Sequence, residues 1–557
     1  MKQLIAKLIA KEANLKPEDV ENLLETPPSP ELGDYAFPCF ILASKLRESP
    51  LNAAAELSTK ISKTPEIEKI EAKGPYVNFF LNKKLFAEKI LGITEEFGRT
   101  QQVKSENVMI EFSQANTHKA FHIGHIRGTS LGESLARILE FTGNKVLRAN
   151  YQGDTGMHVA KWLWCYKKYH KKEKLIQDGR WIAKIYVDAV KKLSKHENFQ
   201  KQVDEINRSL EEGKDKSLTE LWKKTRELSL NELEKIYTDL GTRFDYYFFE
   251  SEVEKRAKEI AKSLVKKEIA KISEGAAIIN LEKYNLGVWV LLRSDGTVLY
   301  SAKDIALAER KFSKLKVDKS IYVVGAAQRL HILQLFKTLE LMKFPQAKNC
   351  SYVPVSEVRL PSGKMSSRTG ENIIYEDFRQ EILDYSTQEI KKRYPKLSQS
   401  EINSRALNIS IAAIKFSMLK QDLDKTIIFE KEKALNFEGD TGPYLQYSYA
   451  RASSILRKAK YKPKSNVKIT QIQQQELSLI KEILKFPEQV ENASKNLTPS
   501  TIANYSLQLA KLFNEFYHSC PVLDSEEKAF RLELVSKFRQ VMKQSLYLLG
   551  IQVLEEM

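Results

Sequence analysis

Two short stretches of this chain carry residue types suited to polyphosphate chemistry. The first is His122-Ile123-Gly124-His125, with Lys119 three residues ahead. Its imidazoles can donate hydrogen bonds to phosphate oxygens and its ammonium can offset their charge. Gly124 has no side chain, so a flat base or a ribose can approach the backbone there. The second stretch runs from Arg359 to Gly370 and reads RLPSGKMSSRTG. It is a basic loop in which Lys364 and Arg368 bracket two serines, a composition able to close over a polyphosphate.

The elements around the first stretch suit that chemistry. Val108, Met109, Ile110 and Phe112 form an apolar run that reads as a buried strand, and the chain then turns through Ser113–Thr117. Residues Ile126–Phe141 place Leu131, Leu135, Ile138 and Leu139 on one helical face, and Gly143-Asn144 ends that helix. Strand, polar loop and helix start hold a nucleotide at the carboxyl edge of a parallel sheet. The free N–H groups of the helix N-terminus suit phosphate. The loop lacks the GxGxxG of a dinucleotide site.

Further along, residues 160 to 240 read as a charged helical insertion on the rim of the sheet. Gly287–Arg293, Ser294-Asp295-Gly296 and Thr297–Tyr300 read as strand, turn, strand. Helix Ala302–Phe312, strand Ser320–Gly325 and helix Gln328–Leu341 follow, and this alternation is expected to be the second βαβ half of the parallel sheet. From about 376 the pattern is almost wholly helical, with a break at Pro463. Residues 1 to about 103 read as a separate small α+β unit containing an amphipathic first helix and a strand over Gly74–Leu81. There Phe37 reads as core, whereas an exposed Tyr35 is suited to stacking on unpaired bases.

Composition narrows the classes. The 557 residues suit three or four domains, and 42% hydrophobic content with 29% charged residues suits a soluble protein. No apolar run approaches the roughly 20 residues of a membrane span. The N-terminal lysines are followed by Glu12 and Glu18 without a continuous apolar core, so they read as part of a helix rather than a targeting peptide. Cys39, Cys165, Cys350 and Cys520 are scattered, so neither a zinc site nor a disulfide framework is expected, and a cytoplasmic location is. The net charge of +17 points to a polyanionic partner, RNA first among them.

The pair HIGH and KMSSR resembles the signature pair of class I aminoacyl-tRNA synthetases. The surrounding SQANTHKAFHIGHIRG, YQGDTG, YVVGAAQRLH and GDTGPYLQYSYAR resemble arginyl-tRNA synthetases in particular. The likeness runs from about Gly33 to Met557. It implies an α/β fold: a Rossmann-like parallel-sheet catalytic domain over 104–430, a small α+β N-terminal domain over 1–103 that contacts tRNA, and an all-α anticodon-binding bundle over 431–557. It implies an arginine–tRNA ligase that uses ATP as substrate with Mg²⁺ and no metal of its own. The implied partners are tRNA(Arg) and L-arginine, with no membrane, and a monomer is expected.

The same resemblance implies site residues. The catalytic ones are Lys119, His122, His125, Lys364 and Arg368. The usual KMSKS loop has a second lysine where this chain has Ser367. Lys119 matches the lysine that many members use instead, so it is the first choice for stabilising the α-phosphate. ATP is expected against His122, Gly124, His125, Gly153, Asp154, Met365, Ser366 and Ser367. Arginine is expected among Glu111, Asn116, Glu250, Tyr300, Asp304 and Gln328, with Ser113 and His122 at its α-ammonium and carboxylate. Three of the first six are acidic, as an always-cationic guanidinium requires. Tyr300 and Asp304 share a face if a helix begins near Tyr300. Structural readings stand beside these roles: Glu111 as an exposed strand-end residue, Glu250 as a partner of Lys255, His158 and His331 as structural histidines. For tRNA the implied residues are Tyr35, Tyr444, Tyr447, Arg451 and Met557. Asp440 stands where some members have Asn.

Three alternatives remain at this point. A class I synthetase for another amino acid is one, although cysteine specificity would want a zinc site and leucine, isoleucine or valine specificity an apolar pocket and a long editing insertion. A non-catalytic RNA-binding protein on a synthetase scaffold is another. A nucleotidyltransferase with a HIGH loop is the third.

Overall fold

A computed structural model of the chain describes all residues except 101–104, 197, 362–373 and 464–466. The loop residues Lys364, Met365, Ser366, Ser367 and Arg368 therefore lie outside the described residues. The chain divides into two compact units. One comprises Met1–Phe97, Ala452–Lys485 and Lys511–Val541, and the other Gly98–Arg451, Phe486–Ala510 and Met542–Met557. Among the described residues no helix is long and apolar enough to cross a membrane.

In the first unit, β1 (Tyr35–Pro38), β2 (Ile67–Lys73) and β3 (Tyr76–Leu81) form an antiparallel sheet with β3 in the middle. Helix Lys2–Ala13 buries Ile5, Ile9 and three alanines in this unit, and helix Pro50–Lys60 buries Ala53, Ala54 and Leu57. Phe37 is fully buried, as a core residue, and Tyr35 is half-buried. Gly33 takes a left-handed φ of +94° with Phe79 O close above it, so a Cβ there would clash with backbone.

The second unit carries the parallel sheet. Strands β4 (Asn107–Glu111), β5 (Lys145–Gln152) and β6 (Tyr246–Phe249) come first in the chain. Next are β7 (Lys271–Ser273), β8 (Ala276–Asn280) and β9 (Val288–Leu292), and then β10 (Lys319–Gly325) and β11 (Cys350–Val355). The five-stranded sheet has the order β11-β10-β4-β5-β6, with every pair parallel. From β4 the chain crosses to β5 on one side, and from β10 it crosses to β11 on the other. Between β4 and β10 the winding therefore reverses, and the crevice at the carboxyl ends of these two strands is where such folds bind ligands.

Two sequence expectations need correction here. Residues 288–292 are not part of the parallel sheet. They pair antiparallel with β8 in the separate sheet β7-β8-β9. The strand expected over Thr297–Tyr300 shrinks to one bridge between Leu292 and Val298, because the chain turns into a helix at Tyr300.

Helix α1 (Ile123–Phe141) crosses from β4 to β5 and begins three residues earlier than its apolar periodicity predicts. Gly132 lets it settle on β4: a Cβ there would lie 2.1 Å from the Phe112 ring. Buried Arg148 on β5 ion-pairs with Glu133 and Glu140 of α1 at 3.0 and 2.6 Å. Buried Arg127 of α1 donates to Ser356 O, Lys425 O and Asp422 O at 2.7–2.9 Å. The helix that opens with the HIGH tetrad is thus fixed at both turns behind the tetrad and on the sheet. Residues 157–239 form the expected helical insertion, with its own core around Trp162, Trp164 and Trp181. Helix α2 (Glu250–Lys266) follows β6, α3 (Tyr300–Leu315) precedes β10, and α4 (Arg329–Leu341) joins β10 to β11. From Tyr375 to Leu548 the described chain is helical apart from the two-residue strand Ile427–Ile428 and connecting loops.

Candidate active site

At the winding reversal lies a cavity of about 210 Å³. Its lining includes Glu111 at the end of β4, Asn116 in the following loop, Gly153 after β5, Glu250 at the start of α2, Tyr300 and Asp304 on α3, and Gln328 before α4. These residues lie up to about two hundred positions apart in sequence and meet where β4, β5, β6 and β10 end and α3 begins.

Each carboxylate of the cavity has a protein partner. Glu111 is buried rather than exposed, and its Oε2 lies 2.6 Å from Nζ of Lys311, which is itself fully buried. Glu250 pairs with Lys303 at 3.3 Å, not with Lys255. Burial pushes the Glu250 carboxyl up from its ordinary value, with the Lys303 ammonium opposing. Asp304 Oδ2 lies 2.5 Å from Nε2 of His331. Tyr300 and Asp304 do share one face of α3, and Tyr300 is 61% exposed, leaving its ring at the mouth.

Gly153 closes the cavity's other side. Its carbonyl accepts from Thr117 N, Thr117 Oγ1 and His158 Nε2 at 3.1–3.2 Å. Asp154 next to it is fully buried and accepts from Arg226 at 2.8 Å and from Ser251 N and Oγ at 3.0 and 2.7 Å. Both its oxygens therefore hold the turn to the insertion and to α2.

The HIGH tetrad opens α1 through a reciprocal cap. His122 Nδ1 accepts from Gly124 N, and His125 Nδ1 accepts from His122 N, both at 3.2 Å. The two rings lie 3.9 Å apart. In this arrangement each Nε2 carries the ring proton, which is the donor a phosphate oxygen needs. Burial, then the charge of Lys119, lowers His122 to about 4. Burial, then His122 and Lys119, holds His125 well below its ordinary value. Both are neutral donors at pH 7. Gly124 is exposed between them. Lys119 lines a small neighbouring recess with Asn116, and its ammonium sits 5.2 Å from the Tyr186 ring.

Similarity to known proteins covers the same ground. Residues 88–430 match the family model described as tRNA synthetases class I (R), catalytic domain. Residues 1–81 match the arginyl tRNA synthetase N terminal domain, and residues 445–557 the DALR anticodon binding domain. The chain is 37% identical over 566 residues to an arginine–tRNA ligase of Clostridium perfringens, covering 100% of both chains. It is also 37% identical over 565 residues to one from Clostridium acetobutylicum, again covering 100% of both.

The chain belongs to the arginyl-tRNA synthetase family.

Among solved structures, Thermus thermophilus arginyl-tRNA synthetase superposes with a TM-score of 0.82 at 27% identity, covering 100% of both chains. Against the residue set that the family resemblance implies, six of the eight arginine candidates line one cavity, and Ser113 and His122 are not among its lining residues. Ser113, at a left-handed φ of +77°, bonds instead to Tyr237 Oη at 3.1 Å and accepts from Thr129 at 2.9 Å. The cavity also takes Gln114, Tyr151, Tyr322 and His331, none of them singled out for arginine by sequence. The signal for His331 was its place one helical turn after Gln328. Tyr151 and Tyr322 offered only strand alternation.

Of the residues implied for tRNA, Tyr447 and Met557 line one small recess with Arg393, Tyr394, Arg405 and Phe437. Arg451 donates to Tyr447 Oη at 3.0 Å. Tyr444 lies in the first turn of helix Gly442–Lys458. Tyr35 lies on β1 in the other unit.

Proposed function

We propose that this chain activates L-arginine with ATP and transfers it to the 3′-terminal ribose of tRNA(Arg). In the first step an oxygen of the arginine carboxylate attacks the α-phosphorus, the bond to the bridging oxygen breaks, and pyrophosphate leaves. In the second the ribose hydroxyl attacks the acyl carbon of the adenylate and AMP leaves. Neither step needs a protein nucleophile. The protein's task is to align the reactants and to stabilise charge on the phosphates as it develops.

The observation that carries this reading is the acid-lined cavity at the winding reversal, beside a helix N-terminus that presents two neutral imidazoles. Three carboxylates, an exposed tyrosine and three amides suit a planar cation with five donors. His122, His125 and the exposed Gly124 backbone suit the ATP phosphates and ribose, with Gly153 at the adenosine side. Lys119 is the cation we assign to the α-phosphate, with Lys364 and Arg368 from the second loop as further cations and Met365, Ser366 and Ser367 over the nucleotide. Asp154 is assigned to holding the turn. Mg²⁺ is proposed to arrive on ATP and to draw its ligands from phosphate oxygens and water. The domain boundaries at 103 and 430, tRNA contacts at Tyr35, Tyr444, Tyr447, Arg451 and Met557, a monomeric state and a cytoplasmic location complete the proposal and rest on family resemblance.

The test is ATP–pyrophosphate exchange with each amino acid in turn, with and without total tRNA. Exchange with arginine alone is expected, and only when tRNA is present. Exchange with another amino acid would overturn the substrate assignment. No exchange from folded protein would favour a non-catalytic RNA-binding role.

A further inference from the structure

Among the described residues, Asp304 is the cavity carboxylate whose partner is not a permanent cation, and its partner is held in a defined state by a third residue. Trp289 on β9 is buried, and its indole Nε1 lies 3.2 Å from Nδ1 of His331. An indole N–H can only donate. His331 Nδ1 must therefore accept, and the ring proton sits on Nε2, where it donates to Asp304 Oδ2 at 2.5 Å. The carboxylate gains an oriented donor without gaining a neighbouring positive charge. Glu111 and Glu250 differ in kind, since each faces a lysine.

We propose that His331, locked as the Nε2–H tautomer by Trp289, is a positioning residue that aims Asp304 and keeps its charge uncompensated for the guanidinium of the substrate. The inference rests on the arginine reading above. The geometry supports it from three elements: β9 supplies the indole, α4 the imidazole and α3 the carboxylate. Tyr300, also on α3, packs its ring 4.7 Å from that of His331, so the imidazole is held on a third side. The other titratable groups facing this end of the cavity are Glu111, Tyr151, Glu250 and Tyr322, with Lys311 and Lys303 tied to the two glutamates. Burial first raises both Tyr151 and Tyr322 well above their ordinary range, followed by Asp304 and Glu250 for Tyr151 and by Cys350 and Glu111 for Tyr322, so neither changes charge below pH 8.

The chain of donors predicts three results. His331→Ala leaves Asp304 unaimed, and the KM for arginine should rise about 10- to 100-fold, the loss expected for a hydrogen bond to a charged group. The KM for ATP should stay unchanged and kcat fall much less. His331→Gln retains a neutral donor and should recover most of the loss. Trp289→Phe keeps the ring packing but removes the donor that obliges Nδ1 to accept, which leaves Nδ1 free to take a proton. An imidazolium then competes with the substrate for Asp304, so this variant alone should show a KM for arginine that rises as pH falls from 8 to 6.

The measurement is steady-state aminoacylation with arginine and ATP varied separately, across that pH range, on the full chain with tRNA. Wild-type charging with arginine combined with an unchanged arginine KM in His331→Ala would overturn the inference. So would a Trp289→Phe pH profile parallel to wild type. Failure of the wild type to charge arginine at all would instead overturn the substrate reading, which keeps the two claims separable.

Discussion

Gly153 and Asn116 occupy nearly the same space: a Cβ on Gly153 would lie 2.1 Å from Asn116 Oδ1 and 3.5 Å from Glu250 Oε1. The glycine is what allows the amide of Asn116 to reach over β5 into the cavity. The clash is with the tip of a side chain rather than with backbone, so the cheaper response to a methyl group is rotation of Asn116.

Gly153→Ala is therefore expected to keep the fold, with a cost of about 1–3 kcal/mol from overpacking. It should raise the KM for arginine by an order of magnitude or more. Thermal denaturation beside pyrophosphate exchange separates the two effects. A variant with wild-type arginine KM would show that Asn116 does not work from this position.

The buried Glu111–Lys311 pair yields a double-mutant prediction. Removing one partner leaves an uncompensated charge in the interior, which costs about 3–5 kcal/mol. Lys311→Met should be strongly destabilised in urea unfolding, and Glu111→Gln together with Lys311→Met should recover much of that stability. Exchange activity should not return with it, because the cavity would still lack a carboxylate. Equal and additive losses would show that the two groups do not interact.

Four histidines couple stability to pH. Burial, ahead of neighbouring charges, lowers His118 to about 3, His122 to about 4 and His158 to about 3, and holds His125 well below its ordinary value. The unfolded chain binds these protons near pH 6.5 and the folded one does not. The contribution is therefore fully present above pH 6.5 and is lost as pH falls from 6.5 toward 3–4. Each histidine should add a slope of about 1.4 kcal/mol per pH unit across that window. Urea unfolding at pH 7.5, 6, 5 and 4.5 measures it. His118→Gln, which removes one titrating group, should make the slope shallower.

Lys119 lies beside the cavity and the HIGH tetrad, and burial lowers its ordinary pKa. If it acts on the α-phosphate as proposed, Lys119→Ala should slow pyrophosphate exchange by about 100-fold while ATP affinity changes less than about threefold, the signature of an interaction made in the transition state. An unchanged turnover rate would return the role to Lys364 or Arg368.

Much of the fold was legible in the primary structure. The apolar run before the tetrad, the helical periodicity after it and the SIYVVG strand are local patterns that depend on side-chain spacing alone, and they gave the sheet's central strands. The antiparallel sheet around β9 was misassigned because a strand's own residues do not say which neighbour it will pair with. The second signature loop lies outside the described residues, so its part in the site still rests on its sequence.

What the chain by itself determined is the chemistry on offer: two imidazoles three residues apart at a helix start, a nearby ammonium, and acids, amides and a tyrosine in family-like contexts. A reciprocal His122–His125 cap needs only one helical turn. What only the tertiary structure decided is the charge state and aim of the acids. The parallel register that sets Tyr322 opposite Glu111 places β10 beside β4, and α3, which leads into β10, carries Lys311 to Glu111. Trp289, His331 and Asp304 come from three elements that meet only when the accessory sheet docks on the winding reversal. Electrostatic partnership acts through space over a few ångströms, so it is set by which elements pack together rather than by which residues follow one another.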